Sequence, residues 1–156
     1  MAKLNYFVIP VVAFLVGFIG SKFTAVGINS GWYAALAKPA WTPPGYVIGI
    51  VWTVIYILTA IAALIAWNSP KCSKTVKWLF VANAILNVLW SFLFFTLYAI
   101  GSAAIECFVL WISVIALMYY LWDISKVASC LLVPYAGWVA FATFLNCLIF
   151  FMQKWC

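Results

Sequence analysis

Residues 78–122 read WLFVANAILNVLWSFLFFTLYAIGSAAIECFVLWISVIALMYYLW and hold one charged side chain, Glu106. As a single helix this stretch would be about 67 Å long at 1.5 Å per residue. That is roughly twice the 30 Å of hydrocarbon in a bilayer. The stretch must therefore turn, and its one turn signal is Ala99-Ile100-Gly101-Ser102. We predict two membrane spans, over about 78–98 and 103–122.

The composition of the whole chain supports a membrane location. Of its 156 residues, 70% are hydrophobic and only 6% are charged, against about 25% charged residues in a soluble domain. Disordered chains are poor in aromatic residues, whereas 20% of this chain is aromatic. The composition therefore excludes the soluble and disordered classes and predicts an integral membrane protein.

Three further apolar stretches complete the predicted fold. They cover about residues 4–27, 45–67 and 127–153, each long enough to cross a bilayer. The second begins after a Pro-rich segment, which cannot lie inside a helix, and the last contains Pro134, which we expect to kink it. The sequence thus predicts one domain, residues 1–156, folded as an all-α bundle of five transmembrane helices.

The first stretch has an alternative interpretation as a signal peptide. Lys3 would be its basic start and Ala25-Val26-Gly27 its cleavage site. The apolar run is longer than the ~7–15 residues typical of such peptides, so we expect a retained helix.

Lysines in the loops favour one orientation. Five spans place the two termini on opposite faces. The N-terminal face would carry five lysines, Lys3, Lys71, Lys74, Lys77 and Lys126; the other would carry Lys22, Lys38 and Lys154. Because positive loops stay inside, we expect a cytoplasmic N-terminus in a bacterial cell membrane.

Charge and residue usage exclude several functions. The net charge is +6, but the lysines are scattered, whereas a nucleic-acid surface needs cations gathered on one face. The chain has no His, and its five Cys form no CxxC pair. We therefore expect no nucleic-acid partner, no metal site and no cofactor.

Polar side chains inside the spans indicate either helix packing or a binding cavity. Asn83, Asn87 and Ser91 recur every four residues and so share one helix face. Buried amides need partners, which neighbouring helices or a ligand could supply. Trp52 and Tyr56 share a face of the second span in the same way.

The ten Trp residues divide by position. Four fall at predicted span ends, as in an interfacial aromatic belt: Trp67, Trp78, Trp122 and Trp155. Four fall inside spans, where a belt does not explain them: Trp52, Trp90, Trp111 and Trp138. The second group is where we expect a site.

Glu106 is the only carboxylate predicted within a span. An acid inside a membrane is a functional hypothesis by default. It could couple proton movement in a small transporter of hydrophobic compounds, or make a structural hydrogen bond. Both alternatives remain open on the sequence.

Several motifs resemble one known family. They are WYAALAKPAWTPP at 32–44, VWTVIY at 51–56, NVLWSFLFF at 87–95 and LVPYAGW at 132–138. Together they resemble the translocator protein family, also called tryptophan-rich sensory proteins or peripheral-type benzodiazepine receptors. The resemblance covers nearly the whole chain.

The resemblance implies a function and a site. Such proteins are five-helix bundles, commonly dimeric, with a cavity that the first loop closes like a lid. The cavity takes porphyrins such as protoporphyrin, and benzodiazepine- or isoquinoline-type ligands; bacterial members degrade protoporphyrin in light. By matching motif positions, the ligand contacts would be Trp52, Tyr56, Asn83, Asn87, Trp90, Cys107, Trp138 and Ala142. The lid residues would be Trp32, Trp41, Pro43 and Pro44. We expect Trp52 and Trp138 to act as catalytic residues in porphyrin chemistry.

Two features refine the implied ligand. Animal members carry a cholesterol motif with Tyr late in the fifth helix, where this chain has Cys147. The sequence therefore favours the bacterial type and gives no support to cholesterol binding. Since the chain lacks His, haem iron would need Cys, Tyr or Met as axial ligand, and we expect a preference for the metal-free porphyrin.

Overall fold

A computed structural model describes the backbone of residues 2–155 and the side chains of residues 4–154. The side chains of Lys3 and Trp155, to which the sequence assigns a topological and a belt role, lie outside that part. Seven α-helices occur in the described residues: α1 (Ala2–Asn29), α2 (Trp32–Ala35), α3 (Gly45–Trp67), α4 (Lys74–Ser91), α5 (Ile100–Trp122), α6 (Lys126–Cys130) and α7 (Val133–Trp155).

Five segments are long and apolar enough to cross a membrane. They are Leu4–Asn29, Gly45–Trp67, Lys74–Thr96, Ile100–Trp122 and Lys126–Lys154. The third extends α4 through a π-helical segment, Phe92–Thr96. No strand occurs among the described residues. The predicted all-α bundle of five transmembrane helices is confirmed.

Local sequence explains where the helices begin. Pro44 precedes α3, and its carbonyl accepts from the N–H groups of Val47 and Ile48 at 3.0 and 3.2 Å. Ser73 precedes α4, and its side chain accepts from the Val76 N–H at 3.3 Å, as expected of an N-cap. The helix α3 coincides with the predicted span 45–67.

The turn before α5 differs from the predicted one. Residues 97–99 form it. Tyr98 adopts the left-handed backbone conformation with φ of 56°, which is uncommon for a residue other than Gly. The Tyr98 ring packs 4.5 Å from the Trp32 ring, and tertiary contact thus overrides local preference. Gly101 lies inside α5 instead, where a Cβ would stand 2.9 Å from the Phe150 ring.

The fifth span is divided rather than kinked. The helix α6 ends at Cys130 and α7 begins at Val133, so Pro134 is the second residue of a new helix. Pro fits a first turn because its missing N–H would have no partner there. The disturbance expected at Pro134 therefore takes the form of a break just before it within the span Lys126–Lys154, and not of a bend in one continuous helix.

The helices pack so that α1 stands at one side of the bundle. The helix α1 contacts α3, α4 and the π-helical segment, while α5 contacts α4 and α7. Close approach of α1 needs Gly27, where a Cβ would lie 2.8 Å from the Phe95 carbonyl oxygen. The helix α3 contacts α1 and α6, and space remains between α3 and α7.

Candidate functional site

A cavity of about 1100 Å³ fills that space. Its walls come from α1, α3, the end of α4 with the π-helical segment, and α7, and Tyr33 and Pro43 of the first loop border it. Ligand pockets of about 300–1,000 Å³ hold drug-sized molecules, so this cavity has room for a large one. We call it the large cavity.

Aromatic rings form much of its wall. The Trp52 ring centroid lies 5.7 Å from that of Tyr56, nearly parallel to it, and 6.2 Å from that of Trp90. From α7, Trp138 packs against Phe141 at 5.4 Å. All five side chains line the large cavity, which therefore presents flat apolar faces to any occupant.

Three polar atoms among these walls have no partner. The indole nitrogens of Trp90 and Trp138 and the Oδ1 of Asn146 are buried without a hydrogen bond to any residue that the structure describes. The Nδ2 of Asn146 donates to the Ala142 carbonyl at 2.7 Å, so that amide is held in place. Buried polar groups are normally paired, and an occupant of the cavity could supply the missing partners once these side chains turn toward it.

The π-helical segment adds two rings that the motif positions did not assign to the site. Phe94 and Phe95 are neighbours in sequence, yet both are buried and both line the large cavity. A π turn holds an extra residue relative to an α turn, which changes the direction of the side chains that follow. The sequence offers no reliable signal for such a segment.

The first loop covers one end of the bundle through aromatic contacts. Trp32 packs on Phe94 at 5.5 Å, and Trp41 packs on Phe141 at 5.9 Å. The Gln153 side chain of α7 donates to the Ala37 carbonyl at 2.9 Å. Of the four predicted lid residues, Pro43 lines the large cavity, Trp32 and Trp41 anchor the loop on the bundle, and Pro44 starts α3.

The loop also fixes a lysine beside a tyrosine. The Lys38 ammonium donates to the carbonyls of Tyr33 and Leu36 and lies 4.5 Å from the Tyr33 ring centroid. Partial burial lowers the pKa of Lys38. Burial raises the pKa of the Tyr33 phenol, which stays neutral at physiological pH, and Tyr33 is one of the residues that line the large cavity.

The predicted amides belong to a polar network between helices. Tyr56 donates to Asn87 Oδ1 at 2.7 Å, Asn87 donates to the Tyr135 hydroxyl at 3.0 Å, and Tyr135 donates to Asn83 Oδ1 at 3.1 Å. Asn83 then donates to Ser113 Oγ at 2.8 Å. Asn83 and Asn87 line a second, smaller cavity and not the large one.

The other predicted residues occupy distinct places. Ala142 lines the large cavity. Cys107 is buried between α5 and α7, with its sulfur 4.0 Å from the Val139 carbonyl, and borders neither cavity. The Trp111 indole donates to the Ala136 carbonyl at 3.1 Å, which joins α5 to α7. The structure thus brings together five of the eight predicted contacts.

Glu106 is buried and has no partner. It is 7% exposed, and neither carboxylate oxygen has a hydrogen bond to a described residue. It borders neither cavity.

The Trp residues at the span ends are not all alike. Trp78 and Trp122 are 70% and 51% exposed, as a belt at the membrane surface requires. Trp67 packs inward on Phe80 at 5.4 Å.

Comparison with known proteins identifies the family. The TspO/MBR family profile matches residues 8–152. "Tryptophan-rich protein TspO" of Archaeoglobus fulgidus is 40% identical over 88% of this chain and 90% of its own length. "Translocator protein" of Bos taurus is 31% identical over 88% of this chain and 86% of its own, and "Tryptophan-rich sensory protein" of Cereibacter sphaeroides is 32% identical over 74% and 72%. With its five membrane spans, the chain is an integral multi-pass membrane protein that belongs to the TspO/MBR family.

Proposed function

We propose that this chain is a membrane receptor or carrier that binds protoporphyrin and other flat hydrophobic ligands in the large cavity. One observation carries the proposal: two indole N–H groups and one amide oxygen, buried without partners, lie among stacked rings in a cavity of about 1100 Å³. An apolar macrocycle with polar edges needs such walls and a few convergent polar groups. Relatives named as translocator and sensory proteins support the general role.

The same walls suit benzodiazepine- and isoquinoline-type ligands. These molecules carry aromatic rings and a hydrogen-bond acceptor and are largely apolar. The Trp90 and Trp138 N–H groups can donate to such an acceptor, while Trp52 and Tyr56 supply stacking surface. No charged side chain lines the large cavity among the described residues, which favours contacts through stacking and neutral hydrogen bonds.

A light-dependent degradation of bound protoporphyrin extends the proposal. Trp52 and Trp138 stand on different helices that face the large cavity. An excited porphyrin can take one electron from such an indole and pass it to dioxygen. The indole radical cation then takes an electron back from the porphyrin, and the resulting porphyrin radical cation combines with superoxide, so that both oxygen atoms add to the macrocycle and the Trp is regenerated. Illumination of the complex should bleach protoporphyrin, and the double variant Trp52→Phe/Trp138→Phe should slow the decay; the lipid-facing variant Trp78→Phe is the control. Unchanged decay in the double variant would remove the catalytic assignment.

The alternative function, proton-coupled transport through Glu106, has less support. The carboxylate is buried between helices and lies outside both cavities, so a bound compound would not meet it. Efflux of a hydrophobic compound that stops in Glu106→Gln would support the alternative.

The homodimer and the cytoplasmic N-terminus stay predictions.

Equilibrium titration tests the proposed function. Added protoporphyrin should quench the Trp fluorescence of purified protein in lipid nanodiscs, and the quenching should saturate at one porphyrin per chain. Empty nanodiscs of the same lipid measure partitioning. A linear, non-saturating response equal to that of empty nanodiscs would refute the proposal.

A further inference from the structure

A second cavity, of about 300 Å³, lies between α1, α3 and α4. It borders the large cavity, and the two share only three lining residues, Ala13, Tyr56 and Ala60. Its volume falls at the lower end of ligand pockets, which corresponds to a molecule of one or two rings. We call it the small cavity.

The ring of Tyr56 separates the two cavities and is held from three sides. Its hydroxyl donates to Asn87 Oδ1 at 2.7 Å, and its ring stacks on Trp52 at 5.7 Å. On the third side a Cβ at Gly17 would stand 3.0 Å from the ring, so α1 closes on it. These contacts hold the ring in place as a partition between the two cavities, both of which it lines.

The small cavity has polar lining residues on two helices, Thr59 on α3 and Asn83 and Asn87 on α4. Each of the two Asn donates one hydrogen bond through its amide nitrogen, although an amide carries two donors. The Thr59 hydroxyl oxygen is buried without a partner among the described residues. A hydroxyl or carbonyl group on an occupant would therefore find unused amide N–H groups, and would pair with the Thr59 hydroxyl once that side chain rotates toward the cavity.

The outer rim of the small cavity faces the hydrocarbon of the membrane. Val8, Val12 and Val81 line it and are 43%, 46% and 41% exposed. No charged side chain lines the cavity among the described residues. Since a buried charge without a partner is costly, the occupant must be neutral, and the rim gives it a path from the bilayer.

We propose that the small cavity is a second binding site, which takes a neutral one- or two-ring molecule bearing a hydroxyl or carbonyl group from the bilayer. A lipid acyl chain fits the small cavity less well, because it would leave the Thr59 hydroxyl and the Asn amides unpaired. The proposal is independent of porphyrin binding in the large cavity.

A matched pair of probes tests the site. 2-Naphthol and 2-methylnaphthalene have nearly the same shape, but only the first carries a hydroxyl. Their binding to full-length protein in nanodiscs is measured by saturation-transfer NMR, with protoporphyrin present and absent. Ala84→Phe places a ring in the small cavity and Ala142→Phe places one in the large cavity. Thr59→Val removes the free hydroxyl at constant shape, and Thr53→Val is its control on the same helix.

We expect saturable binding of 2-naphthol that protoporphyrin does not displace. Ala84→Phe should abolish it and Ala142→Phe should not. Thr59→Val should weaken 2-naphthol about three- to tenfold, the value of one hydrogen bond, and Thr53→Val should leave it unchanged. If Ala84→Phe does not fold, Ala84→Leu replaces it and should weaken 2-naphthol binding more than Ala142→Phe does. Equal affinity of the two probes, no effect of Thr59→Val, displacement by protoporphyrin or non-saturable partitioning would each overturn the proposal.

Discussion

The Tyr56 hydroxyl donates a hydrogen bond of 2.7 Å to Asn87 Oδ1, and through it α3 joins the polar network of the bundle. Asn87 is 4% exposed, and its amide nitrogen donates one hydrogen bond to the Tyr135 hydroxyl. The contact therefore does two things. It satisfies a buried amide, and it holds the ring that forms a wall of both cavities.

Removing this hydroxyl should destabilise the bundle. Tyr56→Phe leaves Asn87 Oδ1 buried without a partner, at a cost of about 1–3 kcal/mol in the free energy of unfolding. Thermal unfolding in detergent should show a lower midpoint for this variant. The control is Tyr46→Phe, since Tyr46 is 72% exposed. Equal midpoints for the two variants would contradict the network.

A methyl group at Gly27 should separate α1 from the π-helical segment. The Cβ in Gly27→Ala would stand 2.8 Å from the Phe95 carbonyl oxygen, which is backbone and cannot turn away. Overpacking costs about 1–3 kcal/mol, more than the roughly 1 kcal/mol that Ala gains over Gly in a helix. Gly137→Ala, where no atom lies within 4 Å, should be neutral or stabilising in the same unfolding measurement. A Gly27→Ala protein as stable as Gly137→Ala would disprove the close approach.

The unpartnered indole N–H groups should contribute to ligand affinity. Trp90→Phe and Trp138→Phe keep an aromatic ring but remove the donor, and each should weaken protoporphyrin about three- to tenfold. Fluorescence of the bound porphyrin provides the measurement. Trp122→Phe, on the exposed surface, should bind like the unaltered chain. Should all three variants bind equally, the N–H groups have no role in recognition.

Iron should add little to porphyrin binding. Among the described residues, the large cavity contains no Cys or Met, and its only oxygen ligands suited to haem iron are the phenols of Tyr33 and Tyr56. The Tyr56 hydroxyl already bonds to Asn87. We expect ferric haem to bind no tighter than protoporphyrin and to keep an unshifted Soret band. Tighter haem binding with a red-shifted Soret band, lost in Tyr33→Phe, would show axial ligation.

The sequence predicted the span architecture well because hydropathy and Pro are strong signals. Pro43 and Pro44 fixed the start of α3 at Gly45, as observed. The turn before α5 could not be placed in this way. Gly101 is a turn signal locally, but the structure uses it for contact with Phe150, and contacts of Tyr98 with the first loop support the turn instead.

The lining of the candidate site could be predicted only in part, because it too depends on tertiary contacts. A membrane belt does not explain Trp52, Trp90, Trp111 and Trp138, and three of the four line the large cavity, whereas Trp111 joins α5 to α7 instead. Periodicity placed Asn83 and Asn87 on one face but could not distinguish a ligand contact from a hydrogen bond to Tyr135. The pairing depends on which helix stands opposite, and this information is tertiary.

The central claim is that the ligand lies in the large cavity between α3 and α7. Two Ala→Phe substitutions on α7 test it most directly. Ala142 lines that cavity, whereas Ala140, two residues earlier, is exposed toward lipid. In a protoporphyrin titration followed by Trp quenching, Ala142→Phe should reduce affinity at least about tenfold, because the added ring projects into the site beside Trp138, and Ala140→Phe should match the unaltered chain. Equal affinity for both variants would contradict the account.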